Sequence, residues 1–275
     1  MKSLKLAAAA LAASPLPALA QGLPETPSQQ GNPEEPPLCT DRPTKSNAVC
    51  TVPAGKVQIE TDVVNWTRLD DGDLRADVIA YANPTLKFGL GRNTDVQFNI
   101  APYVTARTRV DGEVAKVEGV GDLFIRLKQR FTDPDSELQI GIIPFVKAPT
   151  AKRGIGNREW EGGVALPIQY SLPDGFTLTF GPELDLLHDG DGRGKHVQLV
   201  GTVNVGKAIT PTLAVYGELW TAQNYDPAGT VRQYSADVAV AWLVQPGLQF
   251  DVGANFGLNR VTPDAQLYLG LSTRF

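Results

Sequence analysis

The sequence predicts an all-β chain folded as a transmembrane, antiparallel up-and-down β-barrel of about twelve strands. Three observations predict it. From Val57 to Phe275, segments of about ten residues carry apolar side chains at every second position, and only a strand sends successive side chains to opposite faces. The separators between them alternate between short turns and longer polar stretches, starting and ending with a long one, as in a membrane barrel whose termini share one side. The charged residues keep to one parity, and an Arg or Lys facing lipid at the bilayer midplane costs about 2–4 kcal/mol.

The chain has 275 residues, a net charge of −5 and two cysteines. The acidic balance gives no general attraction to nucleic acid. Lys2 and Lys5, the apolar run from Leu6 to Ala13 and the small residues Ala18-Leu19-Ala20 read as an export signal over 1–20, with the mature chain starting at Gln21. Beyond it no run of about 18 apolar residues occurs, so a membrane crossing by helix is not expected. Residues 21–56 read as a Pro-rich periplasmic leader. Its first part, 21–37, holds too few large apolar groups to offset its ordering entropy and is expected to be disordered. Export places Cys39 and Cys50 in an oxidising compartment, where they are expected to form a local disulfide. Two readings of the segment that follows stand side by side: an anchor tying the leader to the barrel rim, or a plug that reaches into the lumen from the periplasm.

The expected strands are 57–67, 74–90, 94–107, 117–131, 136–147, 160–172, 175–187, 195–207, 212–223, 231–244, 247–257 and 265–275. Tight turns are expected at 91–95, 132–136, 173–175, 209–212 and 245–247, where residues that set turn dihedrals gather. Longer outer loops are expected at 68–73, 109–116, 148–160, 188–195, 224–232 and 258–264. On the apolar parity fall Val96, Phe98, Ile100 and Val104, later Leu178, Phe180 and Leu184, and at the end Leu267, Leu269, Leu271 and Phe275. The charged parity predicts a lumen lined by Arg75, Asp77, Lys87, Arg107, Arg126, Lys128, Arg130, Glu183, Asp185, Glu218, Asp237 and Asp251. A soluble sandwich or lipocalin-like barrel also alternates, but with its apolar face inward. The long, nearly uniform strands and their even number favour the membrane barrel.

About twelve strands enclose a narrower lumen than the sixteen to eighteen of open porins. Either the luminal charges pair across the barrel and hold it shut, or the basic ladder Arg126, Lys128 and Arg130 faces an acidic wall and sets a field for a small polar or anionic solute. Tyr81, Tyr103, Phe124, Phe145, Tyr216 and Trp220 share the luminal parity and offer stacking surfaces. Trp66, Trp160 and Trp242 are expected at the membrane interfaces.

Two stretches carry a resemblance. Residues 41–66, DRPTKSNAVCTVPAGKVQIETDVVNW, hold Asp41-Arg42-Pro43, a Val-Pro-Ala-Gly turn and Gln58-Ile59-Glu60, and residues 119–131 hold Gly121-Asp122-Leu123 and Lys128. With the aromatic-ended last strand, they resemble the family of outer-membrane transporters named for the meta-pathway of phenol degradation. The last strand also resembles the closing strand of bacterial outer-membrane barrels, whose final Phe is the signal read by the barrel-assembly machinery. These resemblances imply a bacterial outer-membrane channel for passive uptake of small aromatic or hydrophobic compounds. Its partners would be outer-membrane lipid, the solute and the assembly machinery, and transport would need no cofactor. The first alternative is a structural or surface-interaction barrel with a closed lumen. A hydrolase is the second: His188 and His196 flank HDGDGRGK, where His188-Asp189 suits a protease pair and Asp189 and Asp191 a weak Ca²⁺ site, although a polar glycine-rich loop explains the same residues.

Overall fold

The computed structural model describes residues 36–275; the export signal and positions 21–35 of the leader lie outside the described residues. All described regular structure is strand except one 3₁₀ turn, Pro173–Gly175. Twelve strands run in chain order. They are β1 (Val57–Asp71), β2 (Leu74–Tyr81 and Thr85–Gly89), β3 (Thr94–Ile100 and Tyr103–Val110) and β4 (Glu113–Gly119 and Leu123–Arg130). Next come β5 (Leu138–Ala148), β6 (Glu161–Ala165 and Ile168–Leu172) and β7 (Phe176–Phe180 and Glu183–His188). The last five are unbroken: β8 (Lys195–Thr210), β9 (Leu213–Asn224), β10 (Val231–Gln245), β11 (Leu248–Gly257) and β12 (Ala265–Arg274). Every neighbour is antiparallel, and β12 pairs back onto β1 from Gln58↔Arg274 to Arg68↔Ala265. The Val57 and Phe275 backbones exchange hydrogen bonds of 3.2 and 2.8 Å, which seals the last strand to the first. Closure leaves no unpaired sheet edge, the condition for a sheet to cross a bilayer.

Polarity is inverted relative to a soluble protein, which decides against the lipocalin-like alternative. Asn204, Glu218, Asp237, Asp251 and Ser272 are buried on the inward face, while Leu219, Val238, Trp242 and Val252 are each more than half exposed on the outward one. On β12 the inward residues are Gln266, Tyr268, Gly270 and Ser272, and Leu267 and Leu269 face out.

In β1 to β4 this parity holds only for the periplasmic half. Val63 is an extra residue in β1, opposite no partner where Asp62↔Gly270 steps to Val64↔Leu269. β2 breaks at Ala82-Asn83-Pro84, with Ala82 at a φ of 50°; β3 breaks at Ala101-Pro102 and β4 at Val120-Gly121-Asp122. Side-chain facing has a period of two, so each such step exchanges the two faces. Proline supplies no ladder donor, which is why two of the breaks carry one.

Three expected lumen residues are corrected by this phase change. Arg75, Asp77 and Arg107 face outward, in register with one another and with Trp66 and Tyr81, because all lie on the far side of the breaks. Trp66 Nε1 donates to Asp77 Oδ1 at 3.1 Å on that outer surface. Tyr81 and Tyr103 also face out, 44% and 43% exposed with rings 5.8 Å apart, and Val104, expected against lipid, is buried inside. Two expected outer loops are likewise tight hairpins: β1 and β2 are joined by Gly72-Asp73 alone, and β3 and β4 by Asp111-Gly112. Asp111 and Gly112 have φ values of 49° and 83°, the paired positive angles of a two-residue hairpin turn. The polar residues flanking those turns extend the strands instead.

Candidate functional site

The periplasmic half of the lumen is filled by the chain's own residues 38–52. Leu38, Thr40, Asp41, Arg42, Thr44, Lys45, Ser46, Ala48, Val49 and Val52 are all buried, although none belongs to a strand. Cys39 and Cys50 are joined in a disulfide with Cα atoms 6.2 Å apart, closing the segment into a compact loop. Of the two readings of this segment, the structure shows the plug rather than the anchor at the rim. Only the rim end behaves as an anchor: Arg274 donates to the carbonyls of Pro36 and Pro37 at 2.5 and 3.1 Å.

The plug is held mainly through charge. Asp41 accepts from both Lys87 Nζ and Lys128 Nζ, and its own N–H donates to Glu60 Oε2 at 2.8 Å. Glu60 lies 2.5 Å from Lys87, so two lysines and two carboxylates close a buried quartet. Burial pushes the Asp41 carboxyl up, but Lys128 and Lys87 outweigh it and hold that carboxyl well below the usual range. Arg42 Nη1 donates to Asp62 Oδ1 at 2.6 Å, while Nε and Nη2 reach the two Asp251 oxygens at 3.0 and 2.7 Å. A fork that spans two carboxylates is geometry that Lys does not offer. The guanidinium lies so near Gly270 that a Cβ there would come within 2.1 Å of Nη2, which accounts for glycine on the inward parity of the closing strand.

Further along, Lys45 Nζ lies 3.0 Å from Asp237 and donates to Ser235 Oγ at 2.6 Å, with the Trp220 ring centroid 4.4 Å away. The Lys45 and Ser46 N–H groups donate to the two oxygens of Glu218 at 2.8 and 2.9 Å, and Ser46 Oγ donates to Thr202 Oγ1 at 2.9 Å. Gln58 Nε2 donates to the Cys39 carbonyl at 2.6 Å, and the Val52 N–H to Asp95 at 2.9 Å. Leu38, Ala48, Val49 and Val52 add buried apolar surface to these polar contacts, and at Gly141 an added Cβ would touch Val49 at 3.4 Å.

Of the residues expected to line the lumen, Lys87, Lys128, Glu218, Asp237 and Asp251 are thus engaged by the plug. Arg126, Glu183 and Asp185 are buried on the inward face away from it. The Arg126 guanidinium lies 5.5 Å from the Phe145 ring centroid, and the Phe145 and Phe124 rings are 6.4 Å apart. Arg126 Nε and Nη1 and Asp185 Oδ1 have no hydrogen-bond partner among the described residues. Arg130 Nη2 donates to Asn93 Oδ1 at 2.8 Å near the periplasmic turn. At the outer end, Asn157 links Lys147 and Glu161 at 2.6 and 2.7 Å, folding loop 149–160 back onto the barrel. The His residues serve the same purpose: His196 Nδ1 lies 2.9 Å from Asp189, and Asp226 accepts from the Gly190 and Ala228 N–H groups.

A family model described as "Putative MetA-pathway of phenol degradation" matches residues 40–275. The chain belongs to this family. No curated protein sequence matches it. Among solved structures, the COG4313 outer membrane channel from Pseudomonas putida F1 is similar with a TM-score of 0.67 at 13% identity, over 82% of this chain and 98% of that one. The NanC porin is similar with a TM-score of 0.51 at 6% identity, over 78% and 98%. The shared fold is that of bacterial outer-membrane barrels, and the outer membrane is where this barrel resides. In this member of the phenol-degradation family, the motifs that carried the sequence resemblance converge in space: Asp41 meets Glu60 and Lys128, and Gln58 holds Cys39. What sequence reasoning missed was the destination of the luminal charges. Asp41, Arg42 and Lys45 supply the opposite charge for Lys87, Lys128, Asp62, Asp251 and Asp237, and three charged residues within six positions of Cys39 were the available signal.

Proposed function

We propose that this protein is a passive outer-membrane channel for small aromatic or hydrophobic compounds, with residues 38–52 acting as its gate. The observation that carries the reading is the chemistry of the plug interface. Buried ion pairs recover little more than their desolvation cost, so a plug held by Asp41, Arg42 and Lys45 can be exchanged for water, whereas an apolar plug would be held by the hydrophobic effect. Above the plug, Phe124 and Phe145 give a solute ring faces to stack on, and Arg126 supplies N–H donors at the same level. Membership of the phenol-degradation family favours aromatic solutes. The last strand, ending on Phe275, is the segment that the assembly machinery would read.

Planar-bilayer conductance and liposome swelling with phenols, sugars and organic acids test the reading. Deleting residues 39–50 is expected to raise conductance and solute flux, and wild type is expected to pass phenols faster than sugars of similar size. Arg126→Glu should reduce the flux of anionic solutes while the barrel stays heat-modifiable on gels. A bilayer that stays silent, with no flux even after the deletion, overturns the channel in favour of a structural barrel with a closed lumen. Lipid and peptide hydrolysis no faster than background, in wild type as in His188→Ala, dismisses the hydrolase.

A further inference from the structure

We infer that the outer face of β2 to β4, above the strand breaks, binds the phosphate groups of the outer leaflet's phosphorylated glycolipid. The phase change turns charge outward on one side of the barrel only. In register there, Arg75 lies opposite Arg109, and Arg107 lies between Asp77 and Lys116. The neighbouring carboxylates are already engaged: Asp70 by Arg68 and Arg75 at 3.2 and 2.5 Å, Asp77 by Trp66, and Glu118 by Lys116 at 2.7 Å. Arg107 and Arg109 are exposed, and neither has an ion-pair partner among the described residues. The basic groups of the patch outnumber its carboxylates.

Height fits this ligand. Arg107 stands thirteen positions along β3 from Thr94, roughly 30 Å above the periplasmic end once strand rise and tilt are allowed for. The apolar band of such barrels is about 25 Å tall. Trp66, Tyr81 and Tyr103 lie on the same outward face closer to the midplane, as interfacial aromatics do. Two guanidinium groups just beyond that belt therefore meet the headgroup layer, where paired N–H donors match phosphate oxygens. On β8 to β12 the outward face is apolar through Val197, Leu199, Tyr234, Phe256 and Leu267, and charge returns singly at the outer ends, at Lys195 of β8 and Arg232 of β10, so paired guanidinium groups gather on one side of the wall.

The test uses the full chain, purified in a zwitterionic detergent and titrated with diphosphoryl lipid A, dephosphorylated lipid A or phosphatidylcholine, with bound lipid counted by native mass spectrometry. Wild type should retain diphosphoryl lipid A in preference to the other two, and less of it as salt rises. With each basic group near an anionic surface contributing about one kcal/mol, the double variant Arg107→Gln/Arg109→Gln should bind it about thirtyfold more weakly. Arg193→Gln/Arg260→Gln, on other outer loops, should bind as wild type does. Heat-modifiability on gels verifies that each barrel is folded. Equal retention of the phosphorylated and dephosphorylated lipids, or equal binding by wild type and the double variant, overturns the inference. So does a double variant that changes the oligomer size without changing lipid retention, since the patch would then be an interface between copies of the chain. None of these outcomes depends on solute transport.

Discussion

The two sides of the barrel wall solve the same problem differently. β8 to β12 run ten to sixteen residues and keep one parity across the wall, with register shifts at the periplasmic ends of β8 and β10. β1 to β4 each shift phase in mid-wall, so their outward face is apolar below and charged above. A parity rule is therefore a property of an unbroken ladder segment and has to be restarted at each bulge. The plug connects the two sides. Asp41 docks on the broken strands through Lys87 and Lys128, Lys45 and Ser46 dock on the unbroken ones through Asp237, Glu218 and Thr202, and Arg42 bridges Asp62 of β1 and Asp251 of β11.

The bridge gives the largest expected effect. Arg42→Ala strands two buried carboxylates and is expected to weaken plug docking by about 3–5 kcal/mol. Limited proteolysis of the folded barrel should then cut within 38–52 at a protease level that leaves wild type intact; equal resistance would show that Arg42 does not hold the plug. Next in size is the wall itself. Leu269→Arg, facing lipid on the unbroken side, should cost about 2–4 kcal/mol in reversible urea unfolding from vesicles, whereas Thr105→Arg, outward above the break in β3, should cost about 0–1 kcal/mol. Equal costs would remove the distinction between the two sides.

The smallest effect is in pH. The Asp41 carboxyl is held below its ordinary value of 3.8 in the folded chain, so its contribution to docking is fully present above that pH. It is lost only as pH falls through the lower folded value. Conductance followed downward from neutrality should stay at its resting level to about that pH and rise in stronger acid. A rise already between pH 7 and 5 would mean that another group controls the plug.

Strand number and closure were legible because they rest on long-range repetition: twelve alternating segments outweigh any local irregularity. The facing of Lys87, Lys128, Glu218, Asp237 and Asp251 was legible for the same reason. Arg75, Asp77 and Arg107 were not, because a single extra residue such as Val63 changes the face of everything beyond it and leaves composition untouched. Pro84 and Pro102 were visible marks of the breaks, and the Asp-Gly pairs at 71–72 and 111–112 were visible marks of tight hairpins. Their meaning depended on register, which one sequence does not state. The plug was legible as a possibility through its cysteines and charges, while its partners came from eight different strands and needed the closed barrel to be seen together.

The central claim, that residues 38–52 gate the lumen, is tested most directly by fixing the plug to the wall. Ser46 and Thr202 are in hydrogen-bond contact at 2.9 Å, so Ser46→Cys/Thr202→Cys places two thiols within reach of a disulfide. Liposome flux of a phenol through the oxidised double variant, compared with wild type under the same oxidant and reductant, is the measurement. Flux that is blocked when the crosslink forms and returns on reduction, with wild type unaffected, is the predicted result. Undiminished flux through a fully crosslinked barrel would contradict the account.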